Sequence, residues 1–244
     1  MMRISTRQLV AAGLVILCSA RISATELWDR AVDIYDEYST LVPGRVSVRF
    51  DQYNGRGKLV STETSAYRLA YGPSGEIQSD LTYASRDGED ITEERRGGAG
   101  APFGGGEESN NNSPFSGLQK SPFDPAEQDR VTVTDTGRSE YVEGVRTRVH
   151  LFNLSTGGDN RTTGTVWIAE DTGAPVRLTA GIEPLPGYID VFRMDQVYAT
   201  DAEGRWYLAR MQFVGEGNIL FVRRRIESEF LFSDYIPVPA QALN

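Results

Sequence analysis

The chain has 244 residues and a formal net charge of −9, from 34 acidic and 25 basic residues. That length suits one sizeable domain or two small ones, and the negative balance excludes nucleic acid and disfavours anionic lipid headgroups as partners. One cysteine, Cys18, leaves no pair for a disulfide and no thiolate set for a metal.

The first 24 residues read as a secretory signal peptide. MMRISTRQ carries Arg3 and Arg7 without an acid, LVAAGLVILCSA is an apolar run of 12 residues, and small residues follow. The run is shorter than the ~20 residues a bilayer crossing needs. Cleavage after Ala20 or Ala24 removes Cys18 and predicts a periplasmic protein. Lipid anchoring at Cys18 is the less favoured outcome, because bulky Leu17 stands where lipoprotein signals take a small residue. The rest of the chain keeps 22 basic residues against 34 acidic ones.

Only one later stretch has helical spacing. Thr25 can cap it, Glu26 and Asp29 oppose the helix dipole in the first turn, and Leu27, Ala31, Ile34, Tyr35 and Tyr38 form one stripe. Val42-Pro43-Gly44 ends it. From there the period is two. RVSVRF, SAYRLAY, DLTYAS, RVTVTD, RTRVHLF, GTVWIA, APVRLTA, YIDVFRMDQVYAT, RWYLARMQFV and a long NILFVRRRIESEFLF all read as strands.

The punctuation between them is hairpin chemistry: Asn54-Gly55, Arg86-Asp87-Gly88, Asp135-Thr136-Gly137, Asp171-Thr172-Gly173, Ala202-Glu203-Gly204 and Gly215-Glu216-Gly217. The prediction is a mainly β (α+β) protein, a strongly curved antiparallel sheet or incomplete β-barrel of about ten strands with one N-terminal helix. Residues 97–128 interrupt the meander with seven Gly, four Pro and three consecutive Asn. They read as a disordered insertion. Its three Pro-Phe pairs make Phe103, Phe115 and Phe123 candidates for a lid dipping into an apolar site.

No catalytic constellation emerges, so the chain is not expected to be an enzyme. Asp-Thr-Gly occurs twice, as in aspartic proteases, but its two Asp lie 36 residues apart in polar settings, and both copies read as turns. His150 is the only histidine. It reads as a polar residue on the strand face opposite Val149 and Leu151, and it cannot build a zinc cluster. GxSxG and HExxH are absent. No metal and no cofactor is expected.

What remains is apolar. The concave side of a curved sheet would gather Phe50, Tyr67, Leu69, Tyr83, Trp167, Leu178, Phe213, Ile226 and Phe230, with Met194 and Met211 as adaptable liners. Such a groove could take an acyl chain at ~0.8 kcal/mol per buried CH₂, with no specific polar contact.

The order of parts resembles a known family. Leader, amphipathic helix TELWDRAVDIYDEY, strand and hairpin VSVRFDQYNGRG, then GTVWIAEDTGAPVRL, YIDVFRMDQVYATDAEGRWYLARMQFV and FLFSDYIPVP are similar to the LolA/LolB-like periplasmic carriers of outer-membrane lipoprotein sorting. The resemblance implies one domain over 25–244 and an incomplete barrel. It further implies a monomer without cofactor that holds lipid or lipoprotein acyl chains. Relatives of this fold also bind envelope proteins, so an interaction or stress-sensing module without lipid is the alternative expectation.

Overall fold

The computed structural model describes residues 24–38, 40–72, 77–96, 120–219 and 222–239. The predicted leader, Cys18, Phe103 and Phe115 lie outside these residues.

Helix α1, Ala24–Tyr38, buries Leu27, Trp28, Ala31 and Ile34 against the sheet, while its acidic positions stay outside. Burial of each large side chain is worth roughly 1.5–3 kcal/mol, which offsets the marginal stability of so short a helix. After it come β1 (Leu41–Val42), β2 (Arg45–Asn54), β3 (Leu59–Tyr71), β4 (Ile77–Arg86) and β5 (Glu89–Asp90). A short helix, α2 (Thr92–Arg96), and a 3₁₀ turn, Pro125–Arg130, follow.

The meander resumes with β6 (Val131–Val142), β7 (Val145–Gly157), β8 (Asn160–Ala169), β9 (Pro175–Glu183) and β10 (Ile189–Thr200). It ends with β11 (Trp206–Ile219), β12 (Val222–Ser233) and β13 (Ile236–Pro237).

Eleven strands form one antiparallel sheet in the order β5-β4-β3-β2-β12-β11-β10-β9-β8-β7-β6. Its two ends, β5 and β6, do not pair, so the barrel stays open. β1 and β13 pair separately. With Val238 N–H donating to the Thr40 carbonyl at 2.7 Å, they tie the chain after α1 to its last strand.

The structure differs from the sequence pattern at several points. Asn218 to Phe232 is not one strand: Asn218–Ile219 ends β11 and pairs back onto Arg223–Val222 of β12. Gly215-Glu216-Gly217 is not a turn but lies within β11, near its C-terminal end. Asp135-Thr136-Gly137 is not a hairpin either. It is a bulge in β6, where the register jumps from Asp135 to Ser139 and Gly137 takes φ +74°. The hairpin of that pair turns instead at Glu143-Gly144, both with positive φ. The helix α2 was not expected.

The C-terminal part of the supposed insertion is built into the core. Asp124 caps the 3₁₀ turn by accepting from Ala126 N–H at 2.8 Å. Gln128 locks this segment, the strap of residues 120–130, to the helix. It donates to the Pro122 and Asp124 carbonyls at 2.8 and 2.9 Å, and its Oε1 accepts from Trp28 Nε1–H at 3.1 Å. Phe123 is 0% exposed, with its ring 5.1 Å from Trp28. It is a core residue and not the tip of a lid.

Candidate functional site

Cross-strand pairing assigns each side chain to a face, since paired residues point the same way. Following Met194 through Ala180, Gly164 and Phe152 on one side, and through Phe213, Ser228 and Phe50 on the other, traces the concave face across most of the sheet. Leu178, Met194, Met211, Phe213, Ile226, Phe230, Phe50, Tyr67 and Leu69 all lie on it.

Two proposed liners do not. Trp167 pairs with Arg177 and Val149 on the convex side. There its Nε1–H donates to Glu140 at 3.0 Å and the Arg177 guanidinium lies 5.6 Å from its ring. Tyr83 pairs with Ala66, and the register shift between Ala66 and Tyr67 turns it away from Leu81 and Tyr67.

The concave face has two regions of different character. Over β7 to β10 it is filled: α1 and the strap cover Phe152, Leu154, Val166, Ile168, Leu178 and Ala180, all buried. Toward β12 and β2 the cover thins. Phe192, Phe213, Phe230 and Phe232 are only partly buried, and Phe50 is 37% exposed.

These aromatics form a row. Ring centroids are 6.1 Å apart for Phe192–Phe213, 5.8 Å for Phe213–Phe230 and 6.3 Å for Phe230–Phe232. The row ends at a cavity of about 310 Å³, walled by Phe232, Tyr235, Tyr35, Tyr198 and Leu208. That size sits at the lower end of the roughly 300–1,000 Å³ typical of ligand sites.

The polar groups at the back of this cavity are paired within the protein. Tyr198 donates to Gln196 Oε1 at 2.6 Å, and Gln196 Nε2 lies 3.6 and 3.7 Å from the sulfurs of Met194 and Met211. Burial raises the Tyr198 hydroxyl far above its ordinary range, so it stays a donor. Tyr235 donates to the Leu208 carbonyl at 2.6 Å. The resulting surface is apolar with no charge aimed into it except Lys120 at the strap, which is itself paired with Glu127.

His150 is also placed differently from the reading of a polar strand face. It pairs with Val166, is 1% exposed, and its ring lies 6.2 Å from Trp28 under the helix.

The two Asp-Thr-Gly tripeptides do not meet as a catalytic dyad. Asp135 is held by Arg148, which donates from Nε at 2.7 Å and Nη2 at 2.6 Å, and by Gly137 N–H at 3.0 Å. Those Arg148 hydrogen bonds, more than any other influence, draw its carboxyl down to about 2. Asp171 stands exposed in the turn joining β8 to β9.

A folded pKa below the unfolded ~3.9 adds stability that is fully present above pH ~4 and is lost as pH falls through about 2. With solvent screening the contribution is about 1 kcal/mol. Urea unfolding at a series of pH values should therefore show the wild type losing this increment between pH ~4 and ~2. The Asp135→Asn protein should lack that step, while Asp171→Asn should behave as wild type. Among the described residues no cluster of three or more His, Cys, Asp or Glu could hold a metal.

No family model matches the sequence, and no curated protein matches it. Among solved structures the chain is similar to a DUF1329 family protein from Desulfovibrio piger, at 13% identity and TM-score 0.41, covering 88% of this chain and 93% of that one. It is similar to a LolA superfamily protein from Nitrosomonas europaea, at 9% identity and TM-score 0.39, covering 91% and 98%. A third is a putative outer membrane lipoprotein-sorting protein domain from Vibrio parahaemolyticus, at 11% identity and TM-score 0.37, covering 87% and 94%. The unclosed antiparallel sheet behind an N-terminal helix is the architecture expected from the sequence.

Proposed function

We propose that the protein binds lipid, as free lipid or as the acyl chains of lipoproteins, along the aromatic row of its concave face, acting as a carrier in the periplasm. The observation that carries this reading is the continuity of Phe213, Phe230 and Phe232 with the 310 Å³ cavity beside Tyr235. An alkyl chain laid on that row exchanges water for ring faces at ~0.8 kcal/mol per CH₂, and the internally paired polar groups ask nothing of it. The filled half of the sheet serves as a rigid backing, and α1 fixes the cavity's inner wall through Tyr35.

The test is uptake of a fluorescent fatty acid. Phe230 is partly buried and paired across strands with Val48 and Met211. A carboxylate there would have to be desolvated beside the chain. Phe230→Glu is expected to weaken probe binding at least tenfold, with the wild-type far-UV spectrum retained. Unchanged affinity would remove the row from the site.

A further inference from the structure

One end of the sheet carries charge opposite in sign to the protein as a whole. There the turn after β2 lies beside the start of β12: Arg224 pairs with Asn54, and a Cβ at Gly55 would stand 3.2 Å from the Arg223 side chain. This gathers Arg56, Lys58, Arg223, Arg224 and Arg225 at one edge.

Five carboxylates share that end. Glu216 pairs with Arg223 at 2.5 Å and Glu227 with Arg225 at 2.6 Å. Asp51, across the strands from Glu227, pairs with Arg49 at 2.9 Å. Asp87 accepts from Thr62 N–H at 2.7 Å, and Asp190 lies at the start of β10. Arg56, Lys58 and Arg224 make no ion pair among the described residues. The groups left outside these ion pairs are three cations, Arg56, Lys58 and Arg224, against two carboxylates, Asp87 and Asp190, so the tip is locally cationic on a chain of net charge −9.

Apolar groups are interleaved with these cations. Leu59, Val60, Val222 and Tyr188 are between 45% and 52% exposed. Tyr188 belongs to the same end, since its carbonyl accepts from Asn218 N–H at 2.9 Å. Single exposed apolar residues are ordinary. Four beside five cations at one tip suit a surface that is anionic outside and apolar within.

We propose that this end of the sheet docks tip-first on an anionic phospholipid bilayer. Each basic side chain near an anionic leaflet raises binding about fivefold, and the aliphatic groups and Tyr188 enter the headgroup boundary. The acidic remainder of the surface is repelled, which orients the molecule. Charge acts only within a Debye length of about 8–10 Å, so the local sign decides, and the whole-chain balance that disfavoured anionic headgroups does not. On the same face of β12, Arg224 is followed by Ile226 and then Phe230, so the apolar face that leads to the aromatic row opens toward the docked lipid.

The experiment is co-sedimentation with vesicles of phosphatidylglycerol and phosphatidylcholine, or of phosphatidylcholine alone, at low and high salt. The protein should bind the anionic vesicles, bind the neutral ones far less, and release as salt rises. The triple variant Arg56→Ser, Lys58→Ser, Arg224→Ser should bind about 100-fold more weakly. The pair Leu59→Ser, Val222→Ser should lose several-fold. Arg56, Lys58, Leu59 and Val222 are exposed and Arg224 is half-buried, and unchanged melting curves would verify the fold. Fatty-acid uptake should be unaffected in the triple variant, which separates this tip from the acyl-chain site. The proposal is overturned if anionic vesicles do not bind or neutral vesicles bind equally. It is equally overturned if the triple variant binds like wild type, or if the apolar pair does, since charge attraction alone would not identify a bilayer.

Discussion

Replacing Phe123 with Ala is expected to lower the free energy of unfolding by about 3–4 kcal/mol, read as a shift of the urea midpoint with unchanged slope. The ring is fully enclosed between Trp28 at 5.1 Å and Tyr35 at 6.5 Å. Its removal leaves a void that the strap cannot close. Gln128 pins the strap to Trp28, and Glu127 is fixed between Lys120 and Arg130. Against a total stability of ~5–15 kcal/mol, a loss of this size would leave the protein marginal. A mobile-loop phenylalanine would cost almost nothing, so the measurement separates core from lid directly.

Gly164→Ala is expected to be at least as damaging, about 3 kcal/mol or more. A Cβ at this position would fall 2.0 Å from the Thr179 carbonyl oxygen, 2.7 Å from the Phe152 ring and 3.0 Å from Ala180 Cα. Two of those neighbours are backbone of the adjoining strand, so β8 and β9 would have to part. Phe152, paired with Gly164 across the strands, uses the missing side chain as its own space. Gly181→Ala provides the contrast. Its nearest neighbour would be the Phe192 carbonyl at 3.4 Å, an ordinary contact, and its stability should change by less than about 1 kcal/mol. Thermal unfolding of the two variants side by side checks both.

Much of the fold was legible because antiparallel meanders write themselves in period two. Val46 and Val48, or Val166 and Ile168, announce strands, and Asn54-Gly55 and Asp171-Thr172-Gly173 mark real turns. Glycine pairs and Asp-Gly, however, do more than turn a chain. Gly137 serves a bulge, and Gly217 permits close approach, since a Cβ there would meet the Tyr188 carbonyl at 2.2 Å. Sequence alone does not distinguish these uses.

Face assignment failed where the period slips or was not followed. Tyr83 is displaced by the shift beside Tyr67. Trp167 and His150 could have been placed correctly. Trp167 alternates with buried Val166 and Ile168, and His150 shares parity with buried Phe152 and Leu154. Phe123 offered no such signal. Its Pro-Phe pair matches two others in a segment of loop composition, and only its contacts with Trp28 and Tyr35 distinguish it.

The most direct test of the acyl-chain reading is native mass spectrometry of the protein purified from cells, followed by solvent extraction. Lipid-sized adducts that extraction removes are expected, depleted in Phe230→Glu. A clean polypeptide mass, together with no uptake of the fluorescent fatty acid, would contradict that reading and leave the open sheet as a protein-interaction surface.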